Sequence, residues 1–282
     1  MARLRPGIFD YLDLYTLRLV KLRRAKREED ESFYETFFTE EDVEKYLYDV
    51  RNRFRFWHIE DCYSDLFGDA RARVADIGSG LGMALNFLPQ DIDYIGVEYS
   101  DASRAIAEQA HRKRKADFRE GGFPDLPMED DWADLAVCLE VLEHIPDDNQ
   151  AARELCRIVK PGGYLLLSVP ETFYWPDYER LIGHYRHYTG ETVRALIEGA
   201  GFEYVRAYPL HKGFWRGWHY FYLFLKALEM LVTKTVNRNF SILRTGWCSR
   251  LCDRIEARMR RDVPHDPEST FVLCRKPGAA SS

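Results

Sequence analysis

The stretch Val74-Ala-Asp-Ile-Gly-Ser-Gly-Leu-Gly82 decides the fold of this chain. Its apolar residues, Val74 to Ile77, predict a buried parallel strand, because helices cover both faces of such strands. The loop that follows holds glycine at three alternate positions, and glycine lets a backbone turn tightly and approach a ligand closely. A glycine-rich turn between a strand and a helix, expected here over residues 83–88, indicates nucleotide binding in a doubly wound sheet.

A carboxylate ends the next predicted strand, Tyr94 to Glu98, roughly 20 residues after the glycine loop. Glu98 could accept both hydroxyls of a ribose in a charge-assisted contact, and the alternative is a solvated strand end. Asp76 lies inside the glycine turn, where a dinucleotide site usually keeps an apolar residue. This acid and the G-x-G-x-G spacing argue against a dehydrogenase.

Residues 70–170 alternate apolar runs with helical patterns, which predicts a parallel sheet with helices on both faces. A turn at Lys160-Pro161-Gly162-Gly163 should precede the fifth strand. Thr189 and Thr192 should cap a later helix that Gly199 and Gly201 end. The predicted strands are 73–77, 94–98, 117–119, 134–139 and 164–169, and the predicted helices are 83–88, 101–113 and 148–159.

Four motifs, in this order, resemble those of the class I S-adenosylmethionine-dependent methyltransferases. They are Asp76-Ile-Gly-Ser-Gly-Leu-Gly82, Glu98, Leu139-Glu-Val-Leu-Glu-His144 and Leu155-Cys-Arg-Ile-Val-Lys-Pro-Gly-Gly163. The resemblance covers roughly residues 70–208 and implies an α/β fold with a doubly wound, mostly parallel, seven-stranded sheet. It places the sixth strand near 203–208 and the seventh near 270–275.

The resemblance also implies a domain organisation. Residues 1–69 would be an N-terminal helical extension over the substrate mouth, and residues 70–208 would be the core that binds S-adenosylmethionine. Residues 209–266 would form a helical insertion where the family usually has a tight hairpin, and 267–282 would hold the last strand and a tail.

The resemblance implies S-adenosylmethionine as the cofactor. Asp76 would pair with the ammonium group of the donor, directly or through water, and Glu98 would hold the ribose. Gly122 stands where the family often has Asp, and Phe123 would stack on the adenine or wall its pocket. The full set of implied cofactor residues is Asp76, Gly78, Ser79, Gly80, Gly82, Glu98, Tyr99, Gly122, Phe123, Leu139 and Glu140.

Methyl transfer from a sulfonium mainly requires that donor and acceptor are held in line. If the acceptor is a hydroxyl, His144, with Glu143 beside it, is the first candidate base, and a structural role is the alternative. His184 and His187 belong to a second polar cluster, which either binds the acceptor or is an exposed linker. Neither an H-x-x-x-H pair nor a cluster of aspartates has metal-ligand spacing, so we predict no metal site.

Two classes of function follow. The favoured class is an enzyme that methylates a small-molecule or lipid-linked acceptor, on oxygen rather than on nitrogen or carbon. The other is a non-catalytic module that binds S-adenosylmethionine or a nucleotide and acts through basic helical attachments. The chain lacks an Asn/Asp-Pro-Pro-Tyr motif after the fourth predicted strand, which argues against nucleic acid as the substrate.

The net charge of −6 combines a charge of +6 over residues 1–27, +8 over 211–261 and −20 elsewhere. Residues 8–27 predict a helix with a basic C-terminal end, and Thr39 predicts a helix cap. The aromatic-rich stretch 213–232 and the basic stretch 250–261 suit peripheral contact with an anionic membrane. The alternative is that they pack as a substrate lid or a homodimer surface, and the charges in the first stretch argue against a spanning helix.

The cysteines, Cys62, Cys138, Cys156, Cys248, Cys252 and Cys274, are scattered and form no C-x-x-C pair. This pattern predicts reduced thiols rather than a disulfide framework. The N-terminus is charged throughout, so we expect no secretory signal peptide. We therefore expect a cytoplasmic protein, or one that is peripheral to the inner face of a membrane.

Overall fold

The computed structural model describes residues 50–170, 184–208 and 270–278. Several sequence predictions concern residues outside the described ranges. They are the helix over residues 8–27, the cap at Thr39, and the insertion 209–266 with its stretches 213–232 and 250–261. Among the described residues, no helix combines the length and the apolar character that crossing a membrane requires.

Seven strands form one sheet, and their positions confirm the predicted strands to within a few residues. The strands run in the spatial order β3-β2-β1-β4-β5-β7-β6. Their bounds are β1 Arg73–Ile77, β2 Asp93–Glu98, β3 Ala116–Glu120, β4 Ala133–Leu139, β5 Val159–Ser168, β6 Glu203–Ala207 and β7 Phe271–Arg275.

The sheet is mostly parallel, as predicted. Strands β3, β2, β1, β4 and β5 pair in parallel, whereas β7 runs antiparallel to both β5 and β6. The strand order reverses between β1 and β4, and ligands of open α/β sheets bind outside the carboxyl ends of the strands at such a point. Ile77 pairs with Cys138 there, so the glycine loop after β1 lies opposite the segment that follows β4.

The core lies on both faces of the sheet, because alternate strand residues point to opposite sides. Ala75 and Ile77 of β1 belong to one buried cluster, whereas Val74 belongs to the other. The same alternation along β4 places Ala136 with the first cluster and Val137 with the second. The sheet is therefore a buried central layer.

Four α-helices are described: α1 Val50–Phe67, α2 Asp101–His111, α3 Asp148–Ile158 and α4 Gly190–Gly199. The predicted capping box of α4 is confirmed, since the Thr189 side chain accepts from the Thr192 backbone and the Thr192 side chain accepts from the Thr189 backbone. The side chain of Asp147 caps α3 by accepting a hydrogen bond from the backbone N–H of Gln150, at 2.9 Å.

Two local features differ from the prediction. Residues 83–88 were expected to be α-helical, and the structure has a 3₁₀ helix over Met83–Phe87. The turn at residues 160–163 does not precede β5 but interrupts it as a bulge, since the register moves from Val159 opposite Ala133 to Tyr164 opposite Leu135. The physical reason is that Val159 still pairs with β4, so the strand begins before the glycine pair and resumes after it.

Candidate functional site

The glycine loop after β1 is tied to the end of β2. The backbone N–H groups of Gly78 and Ser79 donate to the carbonyl of Val97 over 2.8 and 3.0 Å. Gly78 has φ of +70°, and a Cβ added there would lie 2.5 Å from Cγ2 of Val141. Only glycine satisfies both the left-handed backbone and this close approach. The segment after β4 therefore lies directly against the loop.

Glu98 is held beside the same loop. Its Oε2 accepts from the backbone N–H of Gly80 at 2.8 Å, and its Oε1 accepts from the backbone N–H of Ser100 at 2.9 Å. A carboxylate has about four acceptor positions, so both oxygens can still accept ribose hydroxyls. The adjacent Tyr99 is 64% exposed, which leaves its ring available at the edge of the crevice outside the carboxyl ends of the strands.

Asp76 lies under the loop and is only 5% exposed. Burial raises the pKa of this carboxyl to about 7. The hydrogen bond from Tyr94 lowers the pKa, whereas the nearby negative charge of Glu98 raises it. The Tyr94 hydroxyl donates to Oδ2 of Asp76 over 2.6 Å. Sequence reasoning missed Tyr94, because an aromatic residue in a buried strand has the ordinary pattern of a core residue. An ammonium group brought next to Asp76 would favour the charged carboxylate.

The side chain of Ser79 turns towards the sheet. A Cβ added to Gly96 would lie 2.9 Å from the Ser79 hydroxyl, and Ser79 is buried. Its backbone N–H is already bonded to Val97. The assignment of Ser79 to the cofactor stays a prediction.

The predicted adenine region follows β3. Nothing lies within 4 Å of a Cβ added to Gly122, so this position faces open space. Gly122 bridges to Asp125, and the Phe123–Pro124 peptide bond is cis. Phe123 packs, partly buried, against the core. This packing fixes Phe123 next to the open position, as a wall of an adenine pocket requires.

The end of β4 has a strained backbone. Glu140 follows Leu139 with φ of +57°, an uncommon value for a residue with a side chain. Its backbone N–H donates to the Ser168 carbonyl over 2.8 Å, and its carboxylate accepts from the Ser168 hydroxyl over 2.9 Å. Residues in such regions often mark functional sites, where neighbouring contacts hold the strain. Sequence reasoning did not identify Ser168 as this partner.

The short 3₁₀ helix Leu142–His144 carries the candidate base. Glu143 is only 1% exposed, and its Oε1 lies 3.9 Å from Nε2 of His144. Nε2 of His184 lies at the same distance, 3.9 Å, from this carboxylate oxygen. The structure thus joins two groups that the sequence treated as separate clusters.

Several contacts dock the segment 184–189 against this 3₁₀ helix. The backbone N–H of Tyr185 donates to the carbonyl of Glu143 over 2.8 Å, and Nη1 of Arg186 donates to the carbonyl of Ile145 over 2.9 Å. The buried hydroxyl of Tyr188 donates to Asp148 over 2.9 Å. These contacts tie the backbone of this segment to the site.

His187 lies behind His184. Nε2 of His187 is 2.6 Å from Nδ1 of His184, and the two ring centroids are 4.9 Å apart. No periodicity or spacing in the sequence indicates that His184 and His187 lie beside Glu143 and His144. The available signal was that residues 142–144 and 184–187 come after two predicted strands whose carboxyl ends lie at the same edge of the sheet.

A family model for a methyltransferase domain matches residues 43–207. A probable S-adenosylmethionine-dependent methyltransferase of Mycolicibacterium smegmatis is 32% identical over 112 residues, which are 39% of this chain and 43% of that protein. A ubiquinone biosynthesis O-methyltransferase of Alkalilimnicola ehrlichii is 30% identical over 128 residues, 44% of this chain and 50% of that protein. The chain thus spans half or less of the length of these relatives.

Two solved structures share the fold. A putative sarcosine dimethylglycine methyltransferase of Galdieria sulphuraria has a TM-score of 0.55 and 18% identity, over 80% of this chain and 86% of that chain. The cyclase SpnF has a TM-score of 0.52 and 21% identity, over 79% of this chain and 81% of that chain. At these identities the likeness concerns the fold alone.

The family match covers more than half of the chain and includes the glycine loop, Glu98 and the 3₁₀ helix after β4. The sheet order and the crevice between β1 and β4 agree with it. The chain therefore belongs to the class I S-adenosylmethionine-dependent methyltransferase family, and this membership implies S-adenosylmethionine as its cofactor.

Proposed function

We propose that this protein transfers a methyl group from S-adenosylmethionine to a hydroxyl oxygen of a small-molecule or lipid-linked acceptor. The observation that carries the proposal is the position of His144, whose Nε2 lies 3.9 Å from the buried carboxylate of Glu143 at the edge of the crevice. Membership of the family supports S-adenosylmethionine as the methyl donor. The name of the Alkalilimnicola relative, an O-methyltransferase, supports oxygen as the atom that is methylated.

The residues of the crevice fit this cofactor. Glu98 would accept the ribose hydroxyls through the lone pairs that its bonds to Gly80 and Ser100 leave available. Asp76 would pair with the ammonium group, since a carboxyl with a pKa of about 7 ionises readily beside a cation. The open space at Gly122 leaves room for the adenine next to Phe123.

When bound, S-adenosylmethionine supplies an electrophilic methyl group on a positively charged sulfur. The residues of the chain would position the acceptor and take its proton. His144 would accept the proton of the hydroxyl, and the Glu143 carboxylate would stabilise the charged imidazole. His184 and His187, docked beside them, would bind the acceptor.

The test uses purified protein, methyl-labelled S-adenosylmethionine and matched acceptor pairs that differ only in a hydroxyl or an amine. We expect S-adenosylhomocysteine to form only with the hydroxyl compounds, and the label to appear on oxygen by NMR. Label on nitrogen or carbon would reject the oxygen assignment. Tight binding of S-adenosylhomocysteine without turnover of any acceptor would instead favour the non-catalytic module.

The lipid-linked form of the acceptor rests on the aromatic stretch 213–232 and the basic stretch 250–261, both outside the described residues. Amphipathic aromatics and clustered arginines suit an anionic bilayer surface. The test is flotation with anionic liposomes at low and at high salt. Protein that floats at low salt only would support membrane contact, and protein that never floats would favour the alternative of a lid or a homodimer surface.

A further inference from the structure

The side chains of Glu143, His144 and His184 meet at one point of the crevice, although they come from two separate segments. One ligand atom from each lies within 4.8 Å of the others. The imidazoles of His144 and His184 stand nearly perpendicular, at 86°, with centroids 4.5 Å apart. This arrangement lets both Nε2 atoms face the same carboxylate oxygen, each at 3.9 Å.

From this geometry we propose that Glu143, His144 and His184 bind a divalent transition-metal ion of the zinc class. Two imidazoles and one carboxylate form a ligand set of catalytic zinc sites, and a fourth coordination position stays open. With bonds of ~2.1 Å, two ligands of a tetrahedral ion lie ~3.4 Å apart. The two contacts of Glu143 with the imidazoles therefore need to close by roughly 0.5 Å when the ion binds.

The charges of the cluster support a cation. Glu143 is 1% exposed, and a buried carboxylate is costly unless an opposite charge or a metal compensates it. A divalent ion between these three groups would contact all of them at once and would leave both imidazoles neutral.

His187 completes the site as a positioning residue. If Nε2 of His184 binds the ion, its Nδ1 carries the proton and donates to Nε2 of His187, 2.6 Å away. Metal-bound histidines usually donate their second N–H in this way, which fixes the tautomer and the ring orientation.

Backbone contacts hold the ligand segments together independently of any ion. The N–H of Tyr185 donates to the carbonyl of Glu143 over 2.8 Å, so the residue after one ligand is bonded to the other ligand. Arg186 adds a bond to the carbonyl of Ile145 and lies 3.1 Å from the carboxylate of Asp148. Such preorganisation lets a site bind its ion with little rearrangement.

The role of the ion rests on the proposed function, whereas its binding does not. The open position would bind the acceptor hydroxyl and lower its pKa, so that the proton leaves to water. The acceptor oxygen would form the bond to the methyl carbon, and the donor sulfur would keep the electron pair of the broken bond. His144 would then hold the ion instead of accepting the proton.

The experiment titrates Co²⁺ into full-length protein that carries no histidine tag and has been stripped with a chelator. Visible d–d absorption should saturate at one equivalent and disappear when Zn²⁺ displaces Co²⁺. Mg²⁺, which prefers oxygen ligands, should not displace it. Absence of the absorption bands in the wild-type protein would overturn the proposal.

Conservative variants then locate the site. Glu143→Gln, His144→Gln and His184→Gln should each abolish the saturable bands, while circular dichroism confirms folding. His187→Asn should keep one site and weaken its affinity ~10–100-fold, as loss of an orienting partner does. His111→Gln is the matched control, because His111 is a buried histidine that contacts the carbonyl of Leu81 and lies outside the cluster. Bands that persist in both His144→Gln and His184→Gln would place the ion elsewhere and overturn the proposal.

Turnover is measured separately, so that the two proposals can fail independently. Loss of methyl transfer with a chelator and recovery with Zn²⁺ would support the role of the ion. Turnover that survives chelation would reject that role. Failure to methylate any hydroxyl while Co²⁺ still binds would reject the proposed function and leave the metal site standing.

Discussion

The carboxylate of Glu98 accepts a hydrogen bond from the backbone N–H of Gly80 over 2.8 Å. This bond joins the carboxyl end of β2 to the glycine loop after β1, so the proposed ribose ligand also shapes the proposed cofactor loop. Its other oxygen accepts from the N–H of Ser100, at the start of α2. Loss of the carboxylate would therefore affect cofactor binding in two ways, by removing the ribose contact and by releasing the glycine loop.

Glu98→Ala should weaken the binding of S-adenosylhomocysteine, because it removes an acceptor for the ribose hydroxyls. Hydrogen bonds to a charged group contribute ~1.5–3 kcal/mol, so we expect a ~10–100-fold higher Kd by calorimetry. Glu120→Ala is the matched control, since Glu120 pairs with Glu98 across the strands and is exposed. Equal affinity of the Glu98 variant and the wild type would reject the ribose assignment.

The buried carboxyl of Asp76 should make stability depend on pH. Burial raises its pKa from an ordinary 3.8 to about 7 in the folded protein. The carboxyl is protonated in both states below pH 3.8, and its contribution to stability is then complete. As the pH rises towards 7, the unfolded chain releases a proton that the folded protein keeps, so the free energy of unfolding falls.

Asp76→Asn removes this titration and keeps an acceptor for Tyr94. Relative to the variant, the wild type without cofactor should lose ~3 kcal/mol of unfolding free energy between about pH 5 and about pH 8, measured by urea denaturation. Tyr94→Phe should extend the loss to higher pH, because the hydroxyl lowers the pKa of Asp76. A pH-independent difference between wild type and Asp76→Asn would contradict the raised pKa.

Gly78→Ala should destabilise the protein by ~1–3 kcal/mol, the usual cost of a strained backbone position. The new Cβ would meet Val141 at 2.5 Å, and φ of +70° disfavours alanine. Adding Val141→Ala should recover the part of the loss that is due to the clash. Gly199→Ala is the control, because a Cβ there meets nothing within 4 Å. The midpoint temperature of thermal unfolding of this variant should be unchanged or slightly higher.

His144→Ala should lower kcat for a hydroxyl acceptor by ~10²–10⁴, the usual contribution of a positioned proton acceptor. The Kd of S-adenosylhomocysteine should hardly change, because His144 is not among the residues proposed to bind the cofactor. His58→Gln, which replaces a buried histidine that packs against Tyr208 and Phe271, serves as the comparison for turnover. Near wild-type turnover in the His144 variant at neutral pH would assign His144 a structural role.

Most of the fold could be predicted because its signals are local. The alternation of buried residues in β1 and β4, the capping box of Thr189 and the glycines after Ile77 all act within a few residues. The strand and helix positions follow from these patterns to within a few residues. The 3₁₀ helix Met83–Phe87 and the bulge in β5 departed from the prediction, because pairing with neighbouring elements decided them.

The residues proposed to bind the cofactor were also visible in the chain, since they follow consecutive strands whose carboxyl ends must meet. Tyr94 and Ser168 were missed, because each acts through a contact across the sheet. The left-handed backbone of Glu140 is likewise held by its contacts with Ser168. Such conformations depend on neighbours that spacing does not encode.

The sequence by itself therefore determined the parallel sheet, the glycine loop and the acid at the end of β2. Only the tertiary structure decided that His184 meets Glu143 and His144, at 3.9 Å from the carboxylate of Glu143. That meeting depends on the docking of the segment 184–189 through the bonds of Tyr185 and Arg186. Sequence spacing reports neighbours along one helix or strand, whereas a site built from two distant segments depends on how the packed chain brings them together.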